Sequence, residues 1–258
     1  MSNPRHVLVC GATSGIGRAS ALRFAREGMK VSALARSAEA LEALTAELSE
    51  AGAPAAYGLA LDLEDLEGLE VAITAHLESE GPLEVLINNS GGPPGGPLLE
   101  ATPADFTKAF TRHLFASHLL VRLLLPGMEA AGFGRIVNVI STSVREPIAN
   151  LGVSNTTRGA MASWAKTLSK ELPPCVTINS ILPGFTDTPR LTSLAAGLAE
   201  KRGTSPEQVR ATWLAGVPVG RLGRPEETAS AIAYLCGEDA GYVRGQALAV
   251  DGGRLNSI

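Results

Sequence analysis

Short apolar runs recur along the chain, separated by segments of helix length. The runs are "HVLVC" (6–10), "KVSALA" (30–35), "AAYGLAL" (55–61), "LEVLIN" (83–88), "RIVNVI" (135–140), "VTINSIL" (176–182) and "ALAVDGG" (247–253). Strand-sized apolar runs alternating with helical patterns predict βαβ units, because a parallel sheet needs helices to cover both of its faces. The expected fold class is therefore α/β, a doubly wound sheet of seven parallel strands with helices on both faces.

The intervening segments carry helix start signals. Ser37 precedes the stripe Leu41, Leu44 and Leu48, and Thr102-Pro103-Ala104-Asp105 combines a cap, a first-turn Pro and a first-turn acid. Ser205-Pro206-Glu207-Gln208 reads as a capping box, and Pro173-Pro174 ends the helix that begins near Ser154. No repeat, low-complexity tract or compositional shift divides the chain, so one domain over 1–258 is expected.

Composition narrows the class of partner. The chain has 258 residues, 45% of them hydrophobic and 19% charged, enough to bury one large core. A net charge of −4 with no block of basic residues argues against a nucleic-acid partner. Cys10, Cys175 and Cys236 are far apart and odd in number, which fits a reducing compartment without a disulfide framework. His113 and His118 are five residues apart and no ligand-spaced cluster accompanies them, so no metal site is expected. The N-terminus lacks the pattern of a signal peptide. The most apolar stretch, "HLFASHLLVRLLLPG", is broken by Arg122 and is too short to span a bilayer. A cytoplasmic protein that does not enter membranes is the expectation.

"VLVCGATSGIG" places Gly11, Gly15 and Gly17 between the first strand and the first helix. Such a loop allows a tight turn and close approach of a pyrophosphate to the helix N-terminus; a glycine-rich turn without a ligand is the alternative. The second strand ends in Ala35-Arg36, with no acid for a ribose 2′-hydroxyl and a guanidinium suited to a 2′-phosphate. NADP(H) is therefore favoured, with NAD(H) as the alternative. The alternative reading of Arg36 is a solvated charge before the Ser37 cap.

Ser154 and Arg158 are four residues apart in "GVSNTTRGAM", on one face of the expected helix. One reading is an N-cap followed by a solvated cation. The other is a catalytic pair whose chemistry has changed.

The G-x-x-x-G-x-G loop, "LALDL" with Asp62, "INNSGG", "RIVNVISTS" with Ser141, "NSILPGFTDT" and the terminal "VPVGRLGRPEETASAIAYLCGEDAGYVRGQALAVDGG" occur in order over nearly the whole chain. Together they resemble the short-chain dehydrogenase/reductase family, and within it the bacterial 3-oxoacyl-[acyl-carrier-protein] reductases. The resemblance implies the strand order 3-2-1-4-5-6-7. It implies that Gly11, Thr13, Ser14, Ile16 and Gly17 surround the cofactor phosphates and that Asp62 and Leu63 meet the adenine. Asn89, Ser90 and Gly91 would line the adenosine side, and Pro183, Gly184, Thr186 and Thr188 would hold the nicotinamide carboxamide. Cys10 replaces the usual Thr, which implies a lost hydroxyl hydrogen bond.

Members of the family use Asn, Ser, Tyr and Lys to move a proton while the nicotinamide carries hydride. Ser141 falls at the Ser position, but Ser154 stands for Tyr, Arg158 for Lys and His113 for Asn. "REPIANLGVSNTTR" resembles a subgroup with Ser and Arg at these positions. An aliphatic hydroxyl is a weaker acid than a phenol, and an Arg keeps its proton. His113 either supplies the proton through water or is a helix histidine facing the core or an interface. Arg145, Glu146 and Asn150 are expected either to touch substrate or to be loop surface. Segment 185–218, with its Leu, Ala and Trp213 content, corresponds to the part that covers the substrate in the family.

Two functions follow as expectations. One is an NADP(H)-dependent reductase acting on a small carbonyl or alcohol, an acyl thioester among the candidates, with Ser141, Ser154, Arg158 and His113 at its centre. The alternative is an NADP(H)-binding protein with little or no reductase activity, a sensor or structural subunit. The resemblance also implies a homotetramer paired through the helices beginning near Pro103 and Ser154, with a dimer as the alternative.

Overall fold

The structure, a computed structural model, describes residues 4–257. All seven strands join one parallel sheet in the order β3-β2-β1-β4-β5-β6-β7. They are β1 (His6–Cys10), β2 (Lys30–Ala35), β3 (Ala56–Ala60), β4 (Val85–Asn88), β5 (Gly134–Val139), β6 (Val176–Pro183) and β7 (Ala247–Val250). The apolar runs thus mark every strand. β3 and β5 end one residue before their runs and β7 ends three before its own, where Gly252 and Gly253 take φ of +67° and +83° and turn the chain.

Each strand contributes to two cores because successive side chains point to opposite faces. Val7 and Val9 pack with Phe24 of α1 (Gly15–Arg26), with Leu41, Leu44 and Leu48 of α2 (Ala38–Glu50), and with the last long helix, Pro225–Cys236. Leu8 faces the other way, toward Leu69 and Ile73 of α3 (Leu66–Glu80) and Leu120 and Leu124 in the helix Ala116–Ala130. Each fully buried aliphatic side chain contributes about 1.5–3 kcal/mol.

The capping signals act as written. Ser37 accepts from the backbone N–H of Ala40, and Thr102 and Asp105 form a reciprocal capping box on α4 (Pro103–Phe110). α4 runs through a π-helical turn, Thr111–Phe115, into α5 (Ala116–Ala130). The wide turn was not legible in the residues, and π-turns are often found beside functional sites.

α6 spans Gly152–Glu171, with Leu151 rather than Ser154 in the capping position. Ser154 therefore lies inside the first turn and caps nothing, contrary to the expectation of an N-cap. The helix stops before Pro173, as expected. α7 (Pro189–Arg202) and α8 (Pro206–Leu214) form a small separate layer around Ala195, Ala199 and Val209. Trp213 stacks on Phe185 at 5.1 Å between ring centroids, so it anchors this layer to the chain after β6. Among the described residues, no helix is long and apolar enough to cross a membrane.

Candidate active site

In an open parallel sheet, ligands bind beyond the carboxyl ends of the strands, where the strand order reverses. Here that point lies between β1 and β4. A cavity of about 420 Å³ opens there, lined from the loops after β1, β2, β3, β4, β5 and β6.

The glycine loop forms its floor. Gly11 has a φ of +59°, in the left-handed region. A Cβ on Gly17 would lie 2.1 Å from the Gly11 carbonyl oxygen, so the first turn of α1 can press against the loop only as glycine. Asn89 Nδ2 donates to the carbonyls of Cys10 and Gly11 at 3.2 and 3.3 Å, tying the loop to the end of β4. This amide holds the loop without a hydroxyl at position 10. The Cys10 thiol is buried, and burial pushes its pKa up to about 12.

Most of the residues expected around a cofactor line this cavity. Gly11, Thr13, Ser14 and Ile16 lie at the α1 end, and Arg36, Asp62 and Leu63 at the β2–β3 end. Asn89, Ser90, Gly91, Pro183, Gly184, Thr186 and Thr188 occupy the middle and inner walls. Gly17 is the exception: it packs behind the loop rather than lining the space. The exposed Arg36 flanks the position where Ala35 leaves no carboxylate. A nucleotide phosphate fits the α1 end, where the first N–H groups of the helix are free and the Ser14 side chain caps none of them.

Ser141, Ser154 and Arg158 come together at the opposite end of the same cavity. Ser141 Oγ accepts from the Ser143 N–H at 3.0 Å, which leaves its own proton free to donate. Ser154 has no hydrogen-bond partner among the described residues. Arg158 is 8% exposed and donates from Nη1 to the Val139 carbonyl at 3.0 Å and from Nη2 to the Ser90 carbonyl at 3.4 Å. Burial, with the nearby Arg190 charge, lowers its pKa to about 10, so it remains a cation at neutral pH. None of the three tyrosines lines the space: Tyr57 faces His6 and His76, and Tyr234 and Tyr242 are exposed.

His113 lies elsewhere. It borders a neighbouring cavity of about 510 Å³, and its Nδ1 pairs with Ser90 Oγ. Burial, followed by the charges of Arg158 and Arg112, pushes its pKa down to about 2. The ring is therefore neutral in the working range, which corrects the expectation of a histidine that titrates there. It reaches the lining of the first cavity through Ser90 and the Gly91 backbone.

Arg145, Glu146 and Asn150 serve the scaffold rather than the cavity. Arg145 donates to the Ala247 carbonyl, Glu146 accepts from the Asn256 and Ser257 N–H groups, and the Asn150 carbonyl accepts from Gly96. The residue-level reading missed Arg190, which lines both cavities and donates to the Pro93 carbonyl at 2.6 Å. Its position two residues after Thr188 was the available signal.

Comparison with known proteins agrees with this geometry. A family profile described as "Enoyl-(Acyl carrier protein) reductase" matches residues 11–254. A putative ketoacyl reductase of Streptomyces coelicolor is 34% identical over 96% of both chains. L-sorbose reductase from Gluconobacter frateurii, solved with NADPH and L-sorbose, superposes with a TM-score of 0.93 at 29% identity, covering 99% of this chain and 98% of that one. An actinorhodin polyketide ketoreductase solved with NADPH gives a TM-score of 0.93 at 33% identity over the full length of both chains. With its strand order, glycine loop and family profile in agreement, this chain belongs to the short-chain dehydrogenase/reductase family.

Proposed function

We propose that the protein is an NADP(H)-dependent ketoreductase of the 3-oxoacyl reductase type in which Ser141, Ser154 and Arg158 do the work of the usual Ser, Tyr and Lys. The observation that carries the reading is one continuous cavity with Arg36 at one end and these three side chains at the other. The NADPH complexes of the relatives support the choice of cofactor.

Gly11, Thr13, Ser14 and Ile16 would hold the pyrophosphate and Arg36 the 2′-phosphate. Asp62 and Leu63 would hold the adenine, Asn89 to Gly91 the adenosine side, and Pro183, Gly184, Thr186 and Thr188 the carboxamide. Bound NADPH supplies the hydride. The chain's own part is to hold the carbonyl oxygen: Ser141 donates its free hydroxyl proton in a hydrogen bond, and Arg158 stabilises the alkoxide charge as it forms. A water at Ser154 delivers the proton, since neither Ser154 nor Arg158 is a competent acid near neutral pH. The family resemblance supports a homotetramer paired through the helix that begins at Pro103, α4 continuing into α5, and through α6, and a cytoplasmic location.

The test is the loss of NADPH absorbance with a panel of 3-oxoacyl thioesters, diketones and simple ketones. Turnover that falls by about 100-fold in Ser141→Ala, with NADPH affinity unchanged, supports the reading. Tight NADPH binding with no turnover across the panel would replace it with the nucleotide-binding alternative.

A further inference from the structure

We propose that the substrate of this site is anionic, and that its carboxylate or phosphate is held by Arg190 beside Gly92, next to the Arg158 cation that faces the carbonyl oxygen. The inference rests on the reading that Ser141 and Ser154 face the reacting carbonyl, and it adds the chemical class of the molecule that carries it.

Two cations converge on one point with no acid to balance them. A Cβ built on Gly92 would lie 3.6 Å from Arg190 Nη2, 3.8 Å from Arg158 Nη2 and 3.9 Å from Arg190 Nε. Neither guanidinium has a carboxylate within ion-pair distance among the described residues; their partners are the carbonyls of Val139, Ser90 and Pro93. Arg158 is buried and Arg190 exposed, so the cost of a buried charge left with carbonyls alone falls on Arg158, and the like charge of Arg190 beside it adds repulsion. Those two effects appear together at Arg158, where burial and then the Arg190 charge depress its pKa.

The neighbouring charges do not relieve this. Arg112 is paired with Glu64, so its cation is already matched. Asp62, the one acid lining the cavity, follows β3, four strands across the sheet from β5 and roughly 19 Å away. The second cavity, which Arg190 also borders, carries Glu100 and Asp105 against Lys108, Arg112 and Lys201, with Asp105 taken up in the Thr102 capping box, so its balance stays positive.

Arg190 also breaks a local rule. It follows Pro189 at the first turn of α7, where the helix dipole favours an acid over a cation. Side chains that violate local preference without an internal gain are expected where a ligand supplies the gain. A planar oxyanion matches the guanidinium fork in two directions at once.

The loop is built to keep the space open. Gly96 pairs with Leu151 as an isolated bridge, which ties the loop after β4 at that residue to the start of α6. Glycine at 92 leaves the gap between the two guanidiniums unfilled. Leu151, Leu191 and Leu194 line the same wall and suit the carbon chain that joins the anion to the carbonyl.

The experiment uses the full chain saturated with NADP⁺, which cannot reduce a ketone, so binding is read apart from turnover. Calorimetric titrations with 2-, 4- and 5-oxo acids, their methyl esters and 2-oxopropyl phosphate are compared. At least one acid or the phosphate is expected to bind about ten-fold or more tightly than its neutral counterpart. Arg190→Met should abolish that preference while leaving NADP⁺ affinity and the melting temperature nearly unchanged, and Arg190→Lys should keep part of it. A preference for the phosphate alone supports the proposal and names the anion. Esters that bind as well as acids, or no saturable binding by any anion, would overturn it. So would an Arg190→Met variant that loses NADP⁺ and keeps the preference, because Arg190 would then serve the cofactor. Failure of the reductase reading is recognised separately, as no NADPH oxidation with any carbonyl in the earlier panel.

Discussion

Arg158 donates from Nη1 to the carbonyl of Val139 at 3.0 Å, so a helix cation is tied to the last residue of β5 with no carboxylate beside it. Held this way, it can offer charge to a developing alkoxide but no proton. Ser154, one turn earlier on the same cavity wall, offers a hydroxyl with no partner among the described residues. The site is therefore equipped to bind and polarise an oxygen and poorly equipped to protonate it.

Installing a phenol beside an ammonium should supply the missing acid. The double variant Ser154→Tyr/Arg158→Lys is expected to raise kcat for carbonyl reduction by about 100-fold, the scale of a positioned general acid. Steady-state kinetics with NADPH reads it. An unchanged or lower kcat in a folded double variant would mean that the present site protonates its substrate by a route that does not need Tyr.

Cofactor preference should follow Arg36. Ala35→Asp/Arg36→Ala removes the cation at the 2′-phosphate position and supplies an acceptor for a ribose hydroxyl. NADPH affinity is expected to fall by about 10- to 100-fold, the scale of one or two charged hydrogen bonds, while NADH affinity rises. Fluorescence titration with both nucleotides measures the shift, and equal losses for the two would contradict it.

Acid should destabilise the fold through its buried imidazoles. His6 is held down to about 4 by burial, then by His76 and Lys30, and His113 to about 2 by burial and two arginines. Each is below the 6.5 of an unfolded histidine, so the unfolded chain binds more protons between those values. Stability is thus fully present above about pH 6.5 and is lost as pH falls toward 4 and below. Urea midpoints should be level from pH 7 to 8 and decline from pH 6.5 to 4.5. A midpoint that rises as pH falls through that window would reverse the sign.

Gly17→Ala should strike the cofactor loop. The added methyl would meet the Gly11 carbonyl at 2.1 Å, so the loop or α1 must move. A loss of about 1–3 kcal/mol in stability is expected, with weaker NADPH binding. Thermal melting with and without NADPH checks both effects. A melting temperature matching that of the unaltered protein would show that the contact relaxes without cost.

Much of this was legible along the chain because its causes are local. Strand-length apolar runs separated by helices specify a parallel sheet, since backbone pairing and two-sided burial leave few other arrangements. Thr102 with Asp105, and Ser205 with Gln208, cap helices through contacts three residues apart. Of the glycines at 11, 15 and 17, Gly17 meets the Gly11 carbonyl inside one strand-turn-helix unit, whereas Gly11 against Asn89 and Gly15 against Thr188 are contacts that only the fold brings about.

What only the tertiary structure decided depends on groups distant in sequence. Ser154 lost its capping role because α6 begins at Gly152, beside the bridge that pairs Gly96 with Leu151. His113 became a neutral residue because Ser90, Arg112 and Arg158 surround a buried ring. Arg190 acquired meaning only when folding brought it to Gly92 and Arg158. Short-range patterning determined the sheet and its helices; burial and charge at long range determined what the cavity can hold, because desolvation and Coulomb energies depend on neighbours in space.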